Sequence, residues 1–394
     1  METLIIGKPA VNTYLPLQEF PKEGDLFYIK SKNESVGNVG ATAACLLAKW
    51  GMSVHFTGVV GNDSYAEKIR DTLKSFRIDT KYLETQFKDG TATNYIILNN
   101  KTGISSKILF NNPEIELTKY KYDFIPDWAI IDGTDRAGAY ALLNNNGTVK
   151  TVYYGSVGDK DSIALSKRCT WVVCTQLFAE MLTKSSCDGT AEGYVELYQK
   201  IVDSVGKGNY IVILNNHKIL YTENGQVKML PEMKMNVADY SSFDAVFVGA
   251  FTFAIQNGVD IDKSIKLAEM AAALSLTKIG ETTALPEIDE VLDNSGLRDK
   301  ILKNNNQTQE SPQPTTVEQN IIGTSNNNIG YQNSVASNEQ VPSPINYQNN
   351  VSNNTNVYNN EAPIQQETNM FDMPQQVTQT PVQQETNMFD NPNV

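Results

Sequence analysis

The chain has 394 residues, 40% of them apolar, and a formal net charge of −13 from 45 acids against 32 bases. No basic stripe interrupts that acidity, which argues against a nucleic-acid partner gripped through its phosphates. Four cysteines (Cys45, Cys169, Cys174, Cys187) and two histidines (His55, His217) fit no zinc spacing, so no metal site is expected and the thiols read as small buried residues of a reducing compartment.

Met1–Gly7 reads as a short strand and a turn. It lacks the basic start and long apolar run of a secretory signal, and no apolar run reaches membrane-spanning length, so a cytoplasmic location without a membrane partner is expected. Gly40–Trp50 has helical periodicity and stops at Gly51. Ser53–Thr57 follows as a buried strand, with His55 inside it as a core or edge residue. Asp63 is placed to cap a helix over Ser64–Phe76. Ala92–Leu98 and Ser105–Phe110 read as a hairpin around the turn Asn99–Gly103.

From Trp128 the alternation is regular: strands at Trp128–Ile131, Thr151–Tyr154, Trp171–Cys174 and Tyr210–Leu214, with helices at Arg136–Asn144, Ile163–Arg168, Leu177–Thr183 and Ala191–Ser204. Lys218–Leu230 reads as a hairpin turning at Glu223–Gly225, before helices over Asp244–Gln256 and Ile261–Lys278. Apolar strands separated by helices predict an α/β fold, a three-layer α/β/α sandwich on a mostly parallel sheet. Asp25–Ile29 and Ala92–Phe110 do not fit that sandwich and predict a small β flap, or lid, over one end.

The domain is expected over residues 1–303. Residues 304–394 carry no Lys or Arg, eight acids, and mostly Asn, Gln, Ser, Thr and Pro, a composition that cannot bury enough surface to offset its ordering entropy. Within that acidic tail Pro363–Pro374 recurs as Pro381–Pro392 with ten of twelve positions matched. The repeat reads either as a duplication without a role or as a bivalent docking peptide for a protein partner, with Met-Phe beside an acid as anchor.

Gly37–Ala44 enters a helix that ends at Lys49-Trp50-Gly51, and Gly58-Val59-Val60-Gly61-Asn62-Asp63 follows the next strand. Phe247-Val248-Gly249-Ala250-Phe251 lies far downstream. These segments resemble the two signatures of the PfkB carbohydrate kinase family, the ribokinase-like fold, across residues 1–300. The resemblance implies ATP-dependent phosphorylation of a sugar-type hydroxyl with magnesium, by positioning and charge stabilisation. It also implies pairing of two copies through the flap.

The resemblance carries residue roles onto this sequence, with departures. In the family's Asp-Thr-x-Gly-Ala-Gly-Asp loop, ungapped from Phe247–Phe251, the first Asp is kept as Asp239. Ser242 and Asp244 replace the two glycines, and Ala245 holds the place of the base. Glycine there permits positive φ and close approach to phosphates, and a carboxylate in an anion cradle works against it. Asp239, Ser241, Ser242 and Asn215 are the nucleotide-side candidates, Asn215 standing where the family has Gly-x-x-Gly. On the substrate side the candidates are Asn12, in place of an early Asp, Gly37, Asn38 in place of its partner glycine, and Thr42.

Two functions follow. One is a catalytically reduced member that acts as a ligand- or protein-binding module, with no cofactor. The other is an active sugar or nucleoside kinase using ATP and magnesium, with Asp244, one residue early, as a displaced base. A transcriptional regulator is disfavoured, since no basic helix-turn-helix precedes the first strand.

Overall fold

The structure, a computed structural model, describes residues 1–110, 117–206 and 209–298. The acidic tail and its repeated segment lie outside the described residues. The chain begins β1 (Glu2–Ile6), β2 (Ala10–Leu17), β3 (Asn33–Gly37), α1 (Val39–Lys49), β4 (Ser53–Val60), α2 (Ser64–Ser75), β5 (Asp79–Thr85), β6 (Thr93–Asn99) and β7 (Ser105–Phe110). It continues β8 (Trp128–Ile131), α3 (Arg136–Asn145), β9 (Lys150–Gly155), α4 (Lys160–Ser166), β10 (Trp171–Thr175), α5 (Gln176–Thr183), α6 (Ala191–Val205) and β11 (Tyr210–Ile213). The last elements are β12 (Ile219–Glu223), β13 (Gln226–Leu230), α7 (Phe243–Gln256), α8 (Ile261–Ser275) and α9 (Ile288–Ser295).

Among the described residues nine strands form one sheet in the order β13-β12-β11-β10-β9-β8-β1-β4-β5. Its pairs are parallel from β11 across to β5, and the pairs β11–β12 and β12–β13 are antiparallel, so β12 alone runs against the rest. Fully apolar strands such as Trp128–Ile131 and Tyr210–Ile213 are buried throughout, as a sheet covered on both faces requires. Ile5, Phe56, Ile130 and Val173 pack toward one face with α1, α7 and α8. Leu4, Ile6, Ile131 and Val172 pack toward the other with α3, α5 and α6. The predicted three-layer architecture is therefore present. Strand order reverses at β1, between β8 and β4, and such a switch point leaves a crevice at the carboxyl ends of the strands.

Over that crevice lies a second sheet, ordered β3-β2-β6-β7. The predicted hairpin is there as β6–β7, but Asp25–Ile29 is not a strand. Asp25 instead closes a turn in which Lys22 N–H donates to its Oδ2 at 2.8 Å, and Leu26 and Tyr28 are exposed. The lid takes its other two strands from β2 and β3, which pair Val11↔Val36 and Val11↔Thr93. None of the helices among the described residues is long and apolar enough to cross a membrane.

Candidate active site

A cleft of about 400 Å³ opens at the switch point, beneath the lid. The body supplies Asn38 and Val39 where α1 starts, Asp132 and Thr134 just after β8, Tyr154 and Ser156 at the end of β9, and Tyr240, Ser241, Asp244 and Ala245 around the start of α7. The lid supplies Ala92 and, from β6 and β7, Asn94, Lys107 and Leu109; Glu281 reaches in from the loop after α8. Strand alternation explains the lid's share, because Asn94 pairs with Leu109 and Ile96 with Lys107, which sends that set to one face.

Asp132 is buried beside the first turn of α1. Its Oδ1 accepts the Thr134 N–H at 3.0 Å as well as the Thr134 hydroxyl, and its Oδ2 accepts the Gly40 N–H at 3.3 Å. Burial nevertheless dominates and pushes its pKa up to about 6. Gly7 makes the room: a Cβ there would stand 2.0 Å from the Asp132 Oδ2.

Asp244, in the first turn of α7, accepts a hydrogen bond from the Tyr154 hydroxyl. Burial raises the Asp244 pKa above the usual carboxylate range, only partly opposed by that bond. The Tyr154 hydroxyl is in turn held well above its ordinary value by burial and by Asp244. The ungapped reading put Ala245 at the base position, with Asp244 one residue early as a displaced base. Both residues line the cleft.

The expected substrate residues divide. Asn38 lines the cleft with φ 72° and ψ 155°, a backbone conformation native to glycine. Its Nδ2 donates to the Lys8 carbonyl at 2.9 Å and its Oδ1 accepts from Asn94 at 3.1 Å, ties that hold the strained position. Asn12 and Thr42 are fully buried and stand behind Glu281 rather than at the cleft surface. Asn12 Nδ2 donates to Glu281 Oε1 at 2.7 Å and Thr42 Oγ1 to Glu281 Oε2 at 2.9 Å. Gly37 lies under the same carboxylate, where a Cβ would meet Glu281 Oε2 at 2.5 Å.

The expected nucleotide residues are mostly engaged with one another. Asp239 is fully buried, its Oδ1 accepting the Ser241 N–H at 2.9 Å and its Oδ2 accepting the Ser241 hydroxyl at 2.7 Å and the Gly280 N–H at 3.1 Å. Ser242 is buried and shares a hydrogen bond with Ser275 at 2.8 Å. Ser241 reaches the cleft, bonded also to Tyr14 at 3.0 Å. Asn215 is exposed on the β11–β12 turn, away from the cleft lining, its N–H donating to Gln176 at 3.2 Å. Beside it the His217 ring stacks on Tyr240 at 4.3 Å and meets Phe243 edge-on at 5.3 Å. Phe243 is itself core. The three rings form one stack beside the start of α7.

Magnesium is ordinarily held by substrate phosphates with one or two carboxylates. Among the described residues no cluster of three or more His, Cys, Asp or Glu side chains is arranged for a metal. Gln176 and Glu180, near the place of the family's Asn-x-x-Glu, bond each other at 2.8 Å. His55 lies away from the cleft on the interior strand β4, bonded to Asp79 at 2.9 Å and Glu2 at 2.8 Å and stacked on Phe124.

Residues 6–130 match the family model described as pfkB family carbohydrate kinase. Over that N-terminal third the chain is similar to the PfkB carbohydrate kinases. It is similar, at 23% identity over 309 residues, to the deoxyribokinase of Salmonella typhi, a match that spans 74% of this chain and 97% of that protein. Among solved structures it resembles the ribokinase of Arabidopsis thaliana in complex with ribose and ATP, with TM-score 0.61 and 19% identity over 74% of this chain and 98% of the other. It also resembles the Cryptococcus neoformans ribokinase in complex with ADP, with TM-score 0.60 and 18% identity over 74% and 98%. At those identities the structures establish the ribokinase-like fold.

Sequence reasoning missed Asp132, Lys107, Asn94 and Glu281. Asp132 carried a usable signal, an acid directly after a buried parallel strand, where such sheets place ligand-facing groups. Glu281 carried none: it lies in a loop and enters the site only through tertiary packing.

Proposed function

We propose that this protein binds a small sugar-type ligand in the cleft and transfers phosphate poorly or not at all. The observation that carries this reading is the engaged state of Asp239 and Ser242, with the His217–Tyr240–Phe243 stack where phosphates would need open backbone. The cleft wall supports the ligand half of the reading. Its volume suits a small molecule, and hydroxyl-reading groups converge on it from Asn38, Asn94, Asp132 and Thr134.

A second reading, an active kinase, is favoured by Asp244. A carboxyl of raised pKa inside a cleft is suited to accept a proton from a sugar hydroxyl near neutral pH. The test mixes the full chain with ATP, magnesium, and ribose or deoxyribose, and measures ADP release beside sugar binding. Sugar binding with little or no sugar-dependent ADP release is expected. Robust release that drops about 10²–10⁴-fold in Asp244→Ala would replace the first reading with the second.

A second copy of the chain is the proposed partner of the lid. β7 is the edge strand of that sheet, and Tyr95, Ile108 and Phe110 leave apolar surface on the side away from the cleft.

A further inference from the structure

The cleft's acceptor carboxylate comes from a position that no motif marks. Glu281 is 2% exposed, yet it lines the cleft, with its carboxylate 3.5 Å from the Lys107 ammonium that lines it too. The backbone fixes it from both sides. Glu281 N–H donates to Ser35 Oγ at 3.1 Å, the Gly280 N–H before it donates to Asp239, and the Thr282 hydroxyl after it donates to the Val36 carbonyl at 2.9 Å. Three donors then orient the carboxylate: Asn12 on Oε1, Thr42 on Oε2, and Lys107 of the lid at 3.5 Å from Oε1.

An ionised carboxylate accepts in about four directions and donates in none, so room remains for a ligand donor on the cleft side. The partner at position 12 fits that arrangement. An amide can donate to Glu281, whereas an aspartate at the same place would set two carboxylates against each other. Around the ligand space stand three carboxyl groups, Asp132, Asp244 and Glu281, against Lys107, the one cation among the described residues lining the cleft. Lys107 is already paired with Glu281. A phosphorylated sugar would bring further negative charge into a buried acidic site, where charge is least screened.

We propose that Glu281 is a specificity-determining residue of this cleft, accepting a hydroxyl hydrogen bond from an uncharged sugar and, with Asp132 and Asp244, excluding phosphorylated sugars. The inference rests on the reading of the cleft as a sugar site, and it is independent of whether phosphate is transferred.

The test titrates the full chain calorimetrically, without nucleotide, using ribose, deoxyribose and ribose 5-phosphate. At least one uncharged sugar binds, and the phosphorylated one binds at least about tenfold more weakly. Glu281→Gln weakens the uncharged sugar by about 10- to 100-fold, the loss expected for a hydrogen bond to a charged group, and narrows the gap to ribose 5-phosphate. Lys107→Met, which leaves Asn12 and Thr42 on Glu281, widens that gap. The paired exchange Asn12→Asp with Glu281→Gln, which moves the carboxylate across one hydrogen bond, regains part of the lost affinity. It also serves as the decisive variant where Glu281→Gln alone does not fold.

Three results overturn the inference: a folded Glu281→Gln that binds the uncharged sugar within about twofold of the parent, a parent that prefers ribose 5-phosphate, or no binding of any of the three. ADP release in a parallel assay addresses the proposed function alone. Turnover with an unchanged KM in Glu281→Gln would sink the role of Glu281 and leave a kinase standing. Glu281-dependent binding without turnover supports both readings.

Discussion

At the scale of single residues, the cleft holds groups that fold at a cost to stability, and Asp132 lets that cost be measured. Its carboxyl is held at about 6 by burial, above the ordinary 3.8. Between those values the native state binds the proton that the unfolded chain has released, so stability falls as pH rises through the window, and the loss is complete above it. The shift corresponds to roughly 3 kcal/mol. Asp132→Asn should therefore flatten the dependence of unfolding free energy on pH between about 4 and 6. Asparagine cannot accept from both Thr134 and Gly40, so a pH-independent loss accompanies the change, and the slope is the diagnostic quantity. Denaturant unfolding at several pH values reads it, and an unchanged slope would show that Asp132 is not the titrating group. Asn38 is a second strained position. Its glycine-like backbone is legible as a departure from a Gly-Gly pair, but the two bonds that hold it involve Lys8 and Asn94, which only the fold brings near.

At the scale of elements, most helices and body strands were readable because their apolar periodicity and caps are local; β5 and α9 were not. Asp63 caps α2 through the Ala66 N–H at 2.9 Å, as its place before an amphipathic run implied. β2 and β3 were not readable. β2 interleaves Asn12, Thr13 and Pro16 with its apolar residues, and β3 is five residues with Glu34 and Ser35 inside it. Their polar side chains are accommodated by neighbours in the site and the lid, so tertiary context overrides propensity there. Asp25–Ile29 shows the converse, an apolar run that finds no strand to pair with. α8 hides another departure from its local pattern. Glu269 is buried in the helix, its Oε1 has no hydrogen-bond partner among the described residues, and burial raises its pKa to about 7. Folding then favours the protonated form, so the stability contribution falls as pH climbs from the ordinary 4.5 through 7. Glu269→Met keeps volume and helix propensity and should raise stability by about 1 kcal/mol at pH 8, with a smaller gain at pH 5. Thermal melts at the two pH values check it; equal shifts at both would mean that the charge is not the cause.

At the scale of the whole molecule, two sheets divide the labour. The nine-stranded sheet fixes the cleft floor at its switch point, and the four-stranded lid brings Asn94 and Lys107 over it. The alternation that turns those residues inward turns Tyr95, Ile108 and Phe110 outward, with Tyr95 directly opposite Ile108 and Thr93 opposite Phe110. An edge strand with that composition presents unpaired backbone groups beside exposed apolar side chains, a surface that favours a second strand or sheet laid against it. A second copy would cover the lid of its partner and hold Lys107 toward Glu281, which links assembly to the geometry of the cleft. Light scattering of the full chain across a dilution series is expected to show a dimer. Ile108→Glu, placed on the outer face and away from the cleft lining, should weaken the dimer by at least about tenfold, since a buried unpaired charge opposes association. Sugar affinity in the dissociated variant should fall with it if a partner's cover steadies the lid. A parent that stays monomeric at high concentration would rule out the lid as an interface, and the exposed face would then require a different protein to cover it.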